Sequence, residues 1–386
     1  MLNNISIFRT TPRIVMGPDA VNGLGREVRD LKAARALIVT DPGILDAGIL
    51  APVEASLKEA HVKYTVFSEV SPDPRHQTVK DCLSAVKDFR PTCVIGLGGG
   101  SPIDIAKTVA VMLKNSGDII DYCGIDLVPK PGLPAIMVPT TAGTGSEVTP
   151  IAILSDDDEK LKKGVVSPYL FPKVALLDPL LTLGLPAPVT AATGMDALIH
   201  AIEAFTSVNA NDMTDMFATR AIELIADNLR TAYAHGGNID ARSAMLEASL
   251  LAGIAFANAG VTAVHAFAYP IGAEFHIPHG VANTLMLAEV MRFNMVGNLA
   301  KFADIAVMMG QPVDGLSDRQ AAEAAVDAVM VLAQDLQVPA TLGEFGITEN
   351  HIDDLAEGVM KVTRLLANNP RTMSHKDAVD IYRRVL

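Results

Sequence analysis

A chain of 386 residues is long enough for two ordinary domains with large buried cores. Hydrophobic residues make up 49% and charged ones 19%, which excludes a disordered chain, and a net charge of −13 argues against nucleic acid, whose binding needs a basic face. The three cysteines, Cys82, Cys93 and Cys123, form neither a C-x-x-C pair nor a disulfide framework, which fits a reducing cytoplasm.

In chain order, Met1 to Arg13 lacks the basic-then-apolar pattern of a secretory signal. Short apolar runs follow at Ala36–Thr40, Tyr64–Phe67, Cys93–Leu97, Ala135–Val138 and Val174–Leu177, each read as a strand. Helical patterns such as Ala51–Ala60 and Thr78–Asp88 separate several of them, so the spacing predicts a parallel sheet covered on both faces. Around Pro179, Pro186 and Pro188 the spacing turns helical: Met213–Tyr233, Ala241–Ala257, Ala321–Leu336, His351–Leu365 and Lys376–Val385. These patterns predict an α/β domain over residues 1–185 and an all-α domain over 186–386. The uncharged stretch Ala248–Val264 is too short to span a membrane and reads as one buried core helix.

Val94–Asp104 reads as a strand, a glycine turn and a helix start. Ser101 is the expected N-cap, Pro102 the first helical residue and Asp104 the far side of a capping box. Glycines let a backbone approach a ligand, and the amides of a helix start face an anion, so a pyrophosphate is the expected guest of Gly99, Gly100 and Ser101. The spacing is not G-x-G-x-x-G, and a plain structural turn is the alternative. A second polar loop, Pro139–Thr149, also follows a strand, where open α/β sheets bind ligands. Asp41 ends a strand too. Its carboxylate suits a ribose 2′-hydroxyl and repels a 2′-phosphate, favouring NAD over NADP, unless it only caps the turn before Pro42.

Asp196 and His200 stand four apart on an otherwise apolar helical segment and so share one face. Burying them without a partner costs several kcal/mol, roughly, and a metal ion supplies that partner. A satisfied core histidine is the commoner fate of one such residue alone, but three of the nine histidines fall within Val264–Gly280. His265 lies in a helical run stopped by Pro270, His279 begins the next helix, and His276 in a loop is a reserve candidate. One Asp and three His form a nitrogen–oxygen set that suits Fe(II) or Zn(II) and makes a calcium cage unsuitable. A cation with an open position lowers the pKa of an alcohol, and a cofactor domain plus a metal domain imply one active site in the cleft between them.

The segments Gly98-Gly-Gly-Ser-Pro102, Val138–Glu147, Ala192–Glu203 and His265–Gly280 resemble the iron-dependent, or group III, alcohol dehydrogenases, which include lactaldehyde (1,2-propanediol) reductases and 1,3-propanediol dehydrogenases. The resemblance covers nearly the whole chain. It implies a dehydroquinate-synthase-like fold: an N-terminal Rossmann-like nucleotide-binding α/β domain and an all-α C-terminal metal domain. It implies Asp196, His200, His265 and His279 as ligands of Fe2+, and Gly99, Gly100 and Ser101 at the pyrophosphate. Thr140, Thr141 and Thr144 then belong to the phosphate and nicotinamide-ribose region, Asp41 to the adenosine ribose, and Lys162, Thr149 and Leu181 to the nucleotide. The implied substrate is a small alcohol or diol and its aldehyde, and the implied assembly a cytoplasmic homodimer or larger homo-oligomer, with no membrane partner.

Two departures stand out. Where the family's well-studied alcohol reductases carry a second histidine four residues beyond the third ligand, this chain has Tyr269, the candidate for that pocket-shaping or proton-relaying role. The family's frequent Pro-Asn-Pro reads Pro72-Asp73-Pro74 here, adding negative charge near the nucleotide and a second argument against NADP. Ala152, Ile153, Phe256 and Tyr269 are candidates for the substrate pocket. Tyr169-x-x-x-Lys173 has short-chain-dehydrogenase spacing, but Pro172 forbids the helical turn it needs. The rival readings are maleylacetate reductase or another dehydroquinate-synthase-like enzyme, and a noncatalytic nucleotide or metal sensor.

Overall fold

The computed structural model describes residues 6–156 and 161–386; the signal reading of Met1–Arg13 thus falls partly outside the described residues. Chain contacts divide the protein into two compact units. One comprises Arg9–Thr141 and Gly145–Gly184; the other comprises residues 6–8, Ala142–Thr144 and Leu185–Leu386.

The first unit runs β1 (Ile14–Met16), α1 (Leu24–Asp30), β2 (Arg35–Val39), α2 (Pro42–Asp46), α3 (Leu50–Glu59), β3 (Lys63–Phe67), α4 (His76–Ala85), β4 (Cys93–Gly98), α5 (Gly100–Met112), β5 (Gly124–Ile125), β6 (Ala135–Pro139), β7 (Ile151–Asp156), β8 (Leu161–Val166) and β9 (Val174–Leu177). Six strands form a wholly parallel sheet in the order β1-β9-β6-β4-β2-β3. Alternate side chains of each strand go to opposite faces. Leu37, Val39, Val94 and Met137 bury with α4 and α5, while Ile38, Ile95, Leu97 and Val138 bury with α1 and α3. This two-sided burial is why the strands read as continuous apolar runs. A small sheet, β5-β8-β7, and the edge strand β1 went unanticipated. β5 has two residues, and Lys162 and Lys163 interrupt the apolar signal of β8.

The chain leaves β2 outward to β3 and returns to β4 on β2's other side. The order therefore reverses between β2 and β4, and open α/β sheets bind ligands outside the carboxyl ends of such a pair.

The second unit is helical: α6 (Ala187–Thr206), α7 (Asp212–Ala234), α8 (Ile239–Ala259), α9 (Ala263–Phe275), α10 (His279–Asn294), α11 (Leu299–Met308), α12 (Asp318–Asp335), α13 (Ile352–Lys361), α14 (Thr363–Leu366) and α15 (His375–Val385). Capping boxes at Asn211/Thr214, Ser317/Gln320 and Ser374/Asp377 start α7, α12 and α15 by satisfying amides at the helix ends. α6 packs against α7, α8 and α10 and is buried almost throughout its C-terminal two-thirds.

Two expectations about this unit are corrected. The stretch Ala248–Val264 is not one helix: it breaks at Gly260, and α8 and α9 meet at 103°. No single described helix is long and apolar enough to cross a membrane. Pro270 does not stop the helix carrying His265; α9 continues through it to Phe275. The lost backbone bond is tolerated because α9 is packed on α10 and α13, with the Pro270 ring seated against the bare backbone of Gly358.

Candidate functional site

The glycine turn after β4 begins with Gly98, whose φ of +143° favours glycine, and α5 turns helical at once from Gly100. Gly99 is therefore the N-cap, and Ser101 and Pro102 lie inside the first turn, which corrects the expected cap at Ser101. An α-helix leaves its first amides without intrahelical partners, and here they belong to Gly100 and Ser101, Pro102 having none. Asp104 closes no capping box. Its Oδ1 accepts from Ser146 Oγ at 2.5 Å and its Oδ2 from the Ile153 amide at 2.8 Å, tying α5 to the loop after β6.

Several of the candidate nucleotide residues gather at this turn. Asp41 Oδ2 lies 3.2 Å from where a Cβ on Gly98 would stand, Thr141 Oγ1 lies 3.5 Å from the corresponding point on Gly99, and the Thr140 amide donates to Gly98 O at 3.0 Å. Asp41 also caps α2, its Oδ1 accepting from the Ile44 amide at 3.1 Å. The remaining candidates are engaged elsewhere. Thr149 is buried and its Oγ1 accepts from Lys107 Nζ at 3.3 Å; Leu181 belongs to the apolar cluster beneath α1 and α3; Thr144 lies in the helical unit. Lys162 pairs with Asp73 at 2.5 Å, so the Asp73 charge is balanced and the argument drawn from it against NADP lapses. Ala152 is buried in the apolar cluster that α4 and α5 share.

Beneath this loop Lys107 is fully buried, donating to Ser146 O and Oγ at 3.0 and 2.6 Å and pairing with Asp104. Burial pushes the Glu147 carboxyl up to about 7, against the pull of its own amide and of Lys107. A carboxyl whose folded-state pKa is raised favours the fold at low pH and loses that contribution as pH climbs through the folded value. The wild-type protein should therefore lose up to about 3 kcal/mol between pH 4.5 and 8 from this group. Glu147→Gln, which mimics the protonated acid, is expected to show a smaller fall in Tm between pH 5 and pH 8; equal falls in both proteins would contradict it.

In the helical unit, Asp196 and His200 of α6, His265 of α9 and His279 at the first position of α10 converge. Ligand atoms of Asp196, His265 and His279 all lie within 4.8 Å of one another, and His200 joins through Nε2, 3.0 Å from His265 Nε2. Asp196 Oδ1 lies 3.9 Å from His265 Nε2 and 3.8 Å from His279 Nε2. A metal bonded at about 2.1 Å needs donor atoms about 3.0–3.4 Å apart, so the Asp196, His265 and His279 atoms stand somewhat wider than an ion needs. His276, exposed at the end of α9 with φ +54°, stands outside the group.

The tautomers decide what the set can hold. His200 Nδ1 faces the Gly143 carbonyl at 3.3 Å, and His265 Nδ1 faces the Glu203 carboxylate in a short contact. Both partners only accept, so each Nδ1 carries the proton and each Nε2 presents a lone pair. Two such nitrogens 3.0 Å apart repel unless positive charge lies between them. Without metal a proton serves: burial alone would lower the His265 pKa, but Glu203 and Asp196 overcome it and the net shift is upward. Burial holds His200 down at about 4, so it stays neutral and free to ligate. For Asp196, burial favours the neutral acid, yet His200, His279 and His265 together with the Asn283 amide outweigh it and the carboxyl lies below its usual range. A divalent cation would match the two buried carboxylates, Asp196 and Glu203, charge for charge. The residues fit a metal ion of the nitrogen–oxygen class.

Glu203 went unassigned in the sequence. It lies seven residues beyond Asp196 and three beyond His200, on the same face of α6. Its Oε1 accepts from Thr262 Oγ1 at 2.8 Å and from the Val264 amide at 2.7 Å, capping α9 from outside, while Oε2 accepts from His265 Nδ1. Such a carboxylate behind a histidine fixes its tautomer and orientation. Phe256 stacks on His200 at 4.3 Å between centroids, and the Tyr269 ring lies 6.2 Å from that of His279. The side chains of Asp196, His200 and His265 are almost wholly buried, but that of His279 is 33% exposed, so the group opens on the side of His279 and Tyr269.

Comparison with known proteins agrees with this chemistry. The family Iron-containing alcohol dehydrogenase matches residues 11–179, and Fe-containing alcohol dehydrogenase family, C-terminal, matches residues 190–386. The chain is 42% identical to the 1,3-propanediol dehydrogenase of Citrobacter freundii over 369 residues, 95% of each chain. It is 36% identical to the NAD-dependent methanol dehydrogenase of Bacillus methanolicus, covering 98% of this chain and 99% of that one. A crystal structure of a 1,3-propanediol oxidoreductase superposes with a TM-score of 0.97 at 39% identity, covering 99% of this chain and 100% of that one. The chain belongs to the iron-containing alcohol dehydrogenase family and is a metal-dependent alcohol dehydrogenase.

Proposed function

We propose that this protein is an Fe(II)-dependent, NAD-linked dehydrogenase that interconverts a small primary alcohol or diol with its aldehyde. The observation that carries the proposal is the pair of lone-pair nitrogens, His200 Nε2 and His265 Nε2, held 3.0 Å apart by fixed tautomers. Asp196, His200, His265 and His279 are its metal ligands. A divalent metal held by these residues would supply the Lewis acidity that makes an alcohol hydroxyl easier to deprotonate. Glu203 keeps the proton of His265 on Nδ1, and burial keeps His200 neutral. Phe256 and Tyr269 flank the group, Tyr269 on its open side, where its hydroxyl can hydrogen-bond a small polar substrate. The named relatives that act on propanediol and methanol support small, short-chain substrates.

The nucleotide reading rests on Gly99, Gly100 and Ser101 at the sheet's reversal point, with Asp41, Thr140 and Thr141 around them. We assign Asp41 to the ribose hydroxyls, which favours NAD, and Thr149, Lys162 and Leu181 to supporting the surrounding loops; Thr144 stays with the nicotinamide-ribose side. We infer a cytoplasmic homo-oligomer of two or more copies. The free cysteines Cys82 and Cys93 are buried, and burial pushes each thiol up to about 12, so neither is primed for disulfide chemistry.

The test is NADH oxidation with C2 to C6 aldehydes, with and without anaerobic Fe(II), repeated with NADPH. We expect Fe(II)-dependent turnover and a preference for NADH of about tenfold or more in kcat/KM. No turnover with any aldehyde or alcohol despite stoichiometric bound metal would overturn the activity, and equal efficiency with NADPH would overturn the role of Asp41.

A further inference from the structure

Asn283 lies one helical turn beyond His279 on α10 and is wholly buried. Its Nδ2 sits among the proposed ligand atoms: 2.8 Å from Asp196 Oδ1, 3.2 Å from His279 Nε2 and 3.3 Å from His265 Nε2. Its Oδ1 is buried and has no hydrogen-bond partner among the described residues. Orphaned buried carbonyls are rare and call for a cause. Charge supplies one. Without a cation the Asp196 carboxylate demands a donor, so the amide must point its NH2 at it; an oxygen there would face that carboxylate's lone pairs. Once a cation takes those lone pairs, the preference inverts, because an NH2 beside a divalent ion is repelled and a carbonyl is attracted. Rotation by half a turn leaves the outline of an amide unchanged. It costs Oδ1 no existing bond and Nδ2 only contacts that the cation claims.

We propose that Asn283 is a positioning residue that answers the metal: it donates to the ligand atoms when the site is metal-free and turns Oδ1 toward the cation, or toward a water on it, when the site is loaded. The proposal rests on the metal reading above. The attraction of Oδ1 to a doubly charged ion exceeds what the NH2 gives to the free ligands, so Asn283 raises metal affinity and accounts for part of the gain in Tm on loading.

The test uses the full chain and Co(II) alone, added anaerobically to metal-free protein. Readouts are the dissociation constant by chelator competition, the visible absorption of bound Co(II), and the difference in Tm between loaded and metal-free protein. Stoichiometric Co(II) in the wild type, lost in His265→Ala, establishes the metal reading independently. Asn283→Leu, close in size but unable to donate or accept, should then bind Co(II) roughly 10- to 100-fold more weakly with a shifted spectrum. Asn283→Asp, which places a carboxylate against Asp196 unless a cation intervenes, should have a lowered metal-free Tm and a larger gain on loading than wild type. The expected order of that gain is Asp over Asn over Leu. Unchanged affinity and spectrum in Asn283→Leu, or a gain in Asn283→Asp no larger than wild type, would overturn the proposal. If Asn283→Leu fails to fold, Asn283→Asp decides alone.

Discussion

His265→Ala should emerge from anaerobic loading with Fe(II) essentially metal-free and should oxidise alcohols roughly a thousandfold more slowly, or worse, than wild type. The estimate follows from the several kcal/mol by which a Lewis-acidic metal stabilises developing charge on oxygen, at about 1.4 kcal/mol for each factor of ten. His265 is expected to matter most among the ligands because its Nε2 stands closest to two others, 3.0 Å from His200 and 3.9 Å from Asp196. A graded companion sharpens the test. Glu203→Gln keeps one oxygen, but that oxygen cannot serve both the α9 amides and His265 Nδ1. If it caps the helix, the new NH2 faces Nδ1, drives the proton to Nε2 and blocks ligation. Metal affinity should fall roughly 10- to 100-fold, an intermediate loss. Stoichiometric Fe in His265→Ala by elemental analysis would refute the ligand assignment, and an unaltered Glu203→Gln would refute the tautomer argument.

The second large effect is expected at Gly280, which touches no ligand atom. A Cβ there would stand 2.1 Å from the backbone oxygen of Ala192 and 2.7 Å from its carbonyl carbon. The obstacle is the main chain of α6, which cannot rotate away as a side chain can. Gly280→Ala must therefore drive the start of α10 off α6, and His279 precedes Gly280 directly. Overpacking of this kind costs about 3 kcal/mol, and the displaced imidazole should weaken metal binding at least tenfold or so. Gly237→Ala is the control, because a Cβ there meets nothing within 4 Å; it should move Tm and metal affinity little. A Gly280→Ala protein with wild-type affinity for Co(II) would show that the close approach of α6 and α10 does not position His279.

Much of this architecture was legible in the residues, and the exceptions have physical causes. The strands β2, β4, β6 and β9 announced themselves because both faces of the sheet are covered, leaving no polar residue to break their apolar runs. Asp196 and His200 stood out because a carboxylate and an imidazole interrupt a run whose neighbours, Ala197, Leu198, Ile199, Ala201 and Ile202, are all apolar. The break at Gly260 stayed hidden because the residues on both sides are equally apolar, and periodicity carries no information about a 103° turn. Pro270 misled because a helix breaker acts on an isolated helix, whereas α9 is clamped by α10 and α13. Glu203 and Asn283 did leave a signal: each falls on the same helical face as a proposed ligand, three or four residues away. The acceptor for His200 left none, since Gly143 contributes only its backbone carbonyl and any residue has one.

The carboxylate behind His265 makes this centre hard to transplant. A designer who copied the four proposed ligand side chains onto another bundle would leave behind the helix that begins on the far oxygen of Glu203, and with it the amides that hold that oxygen still. The smallest portable piece is a corner of two helices meeting a third, not a quartet of ligands. The same economy ties upkeep to assembly: a substitution that frays the opening turn of α9 also loosens a ligand, so damage to the scaffold would register as lost metal before it registers as unfolding.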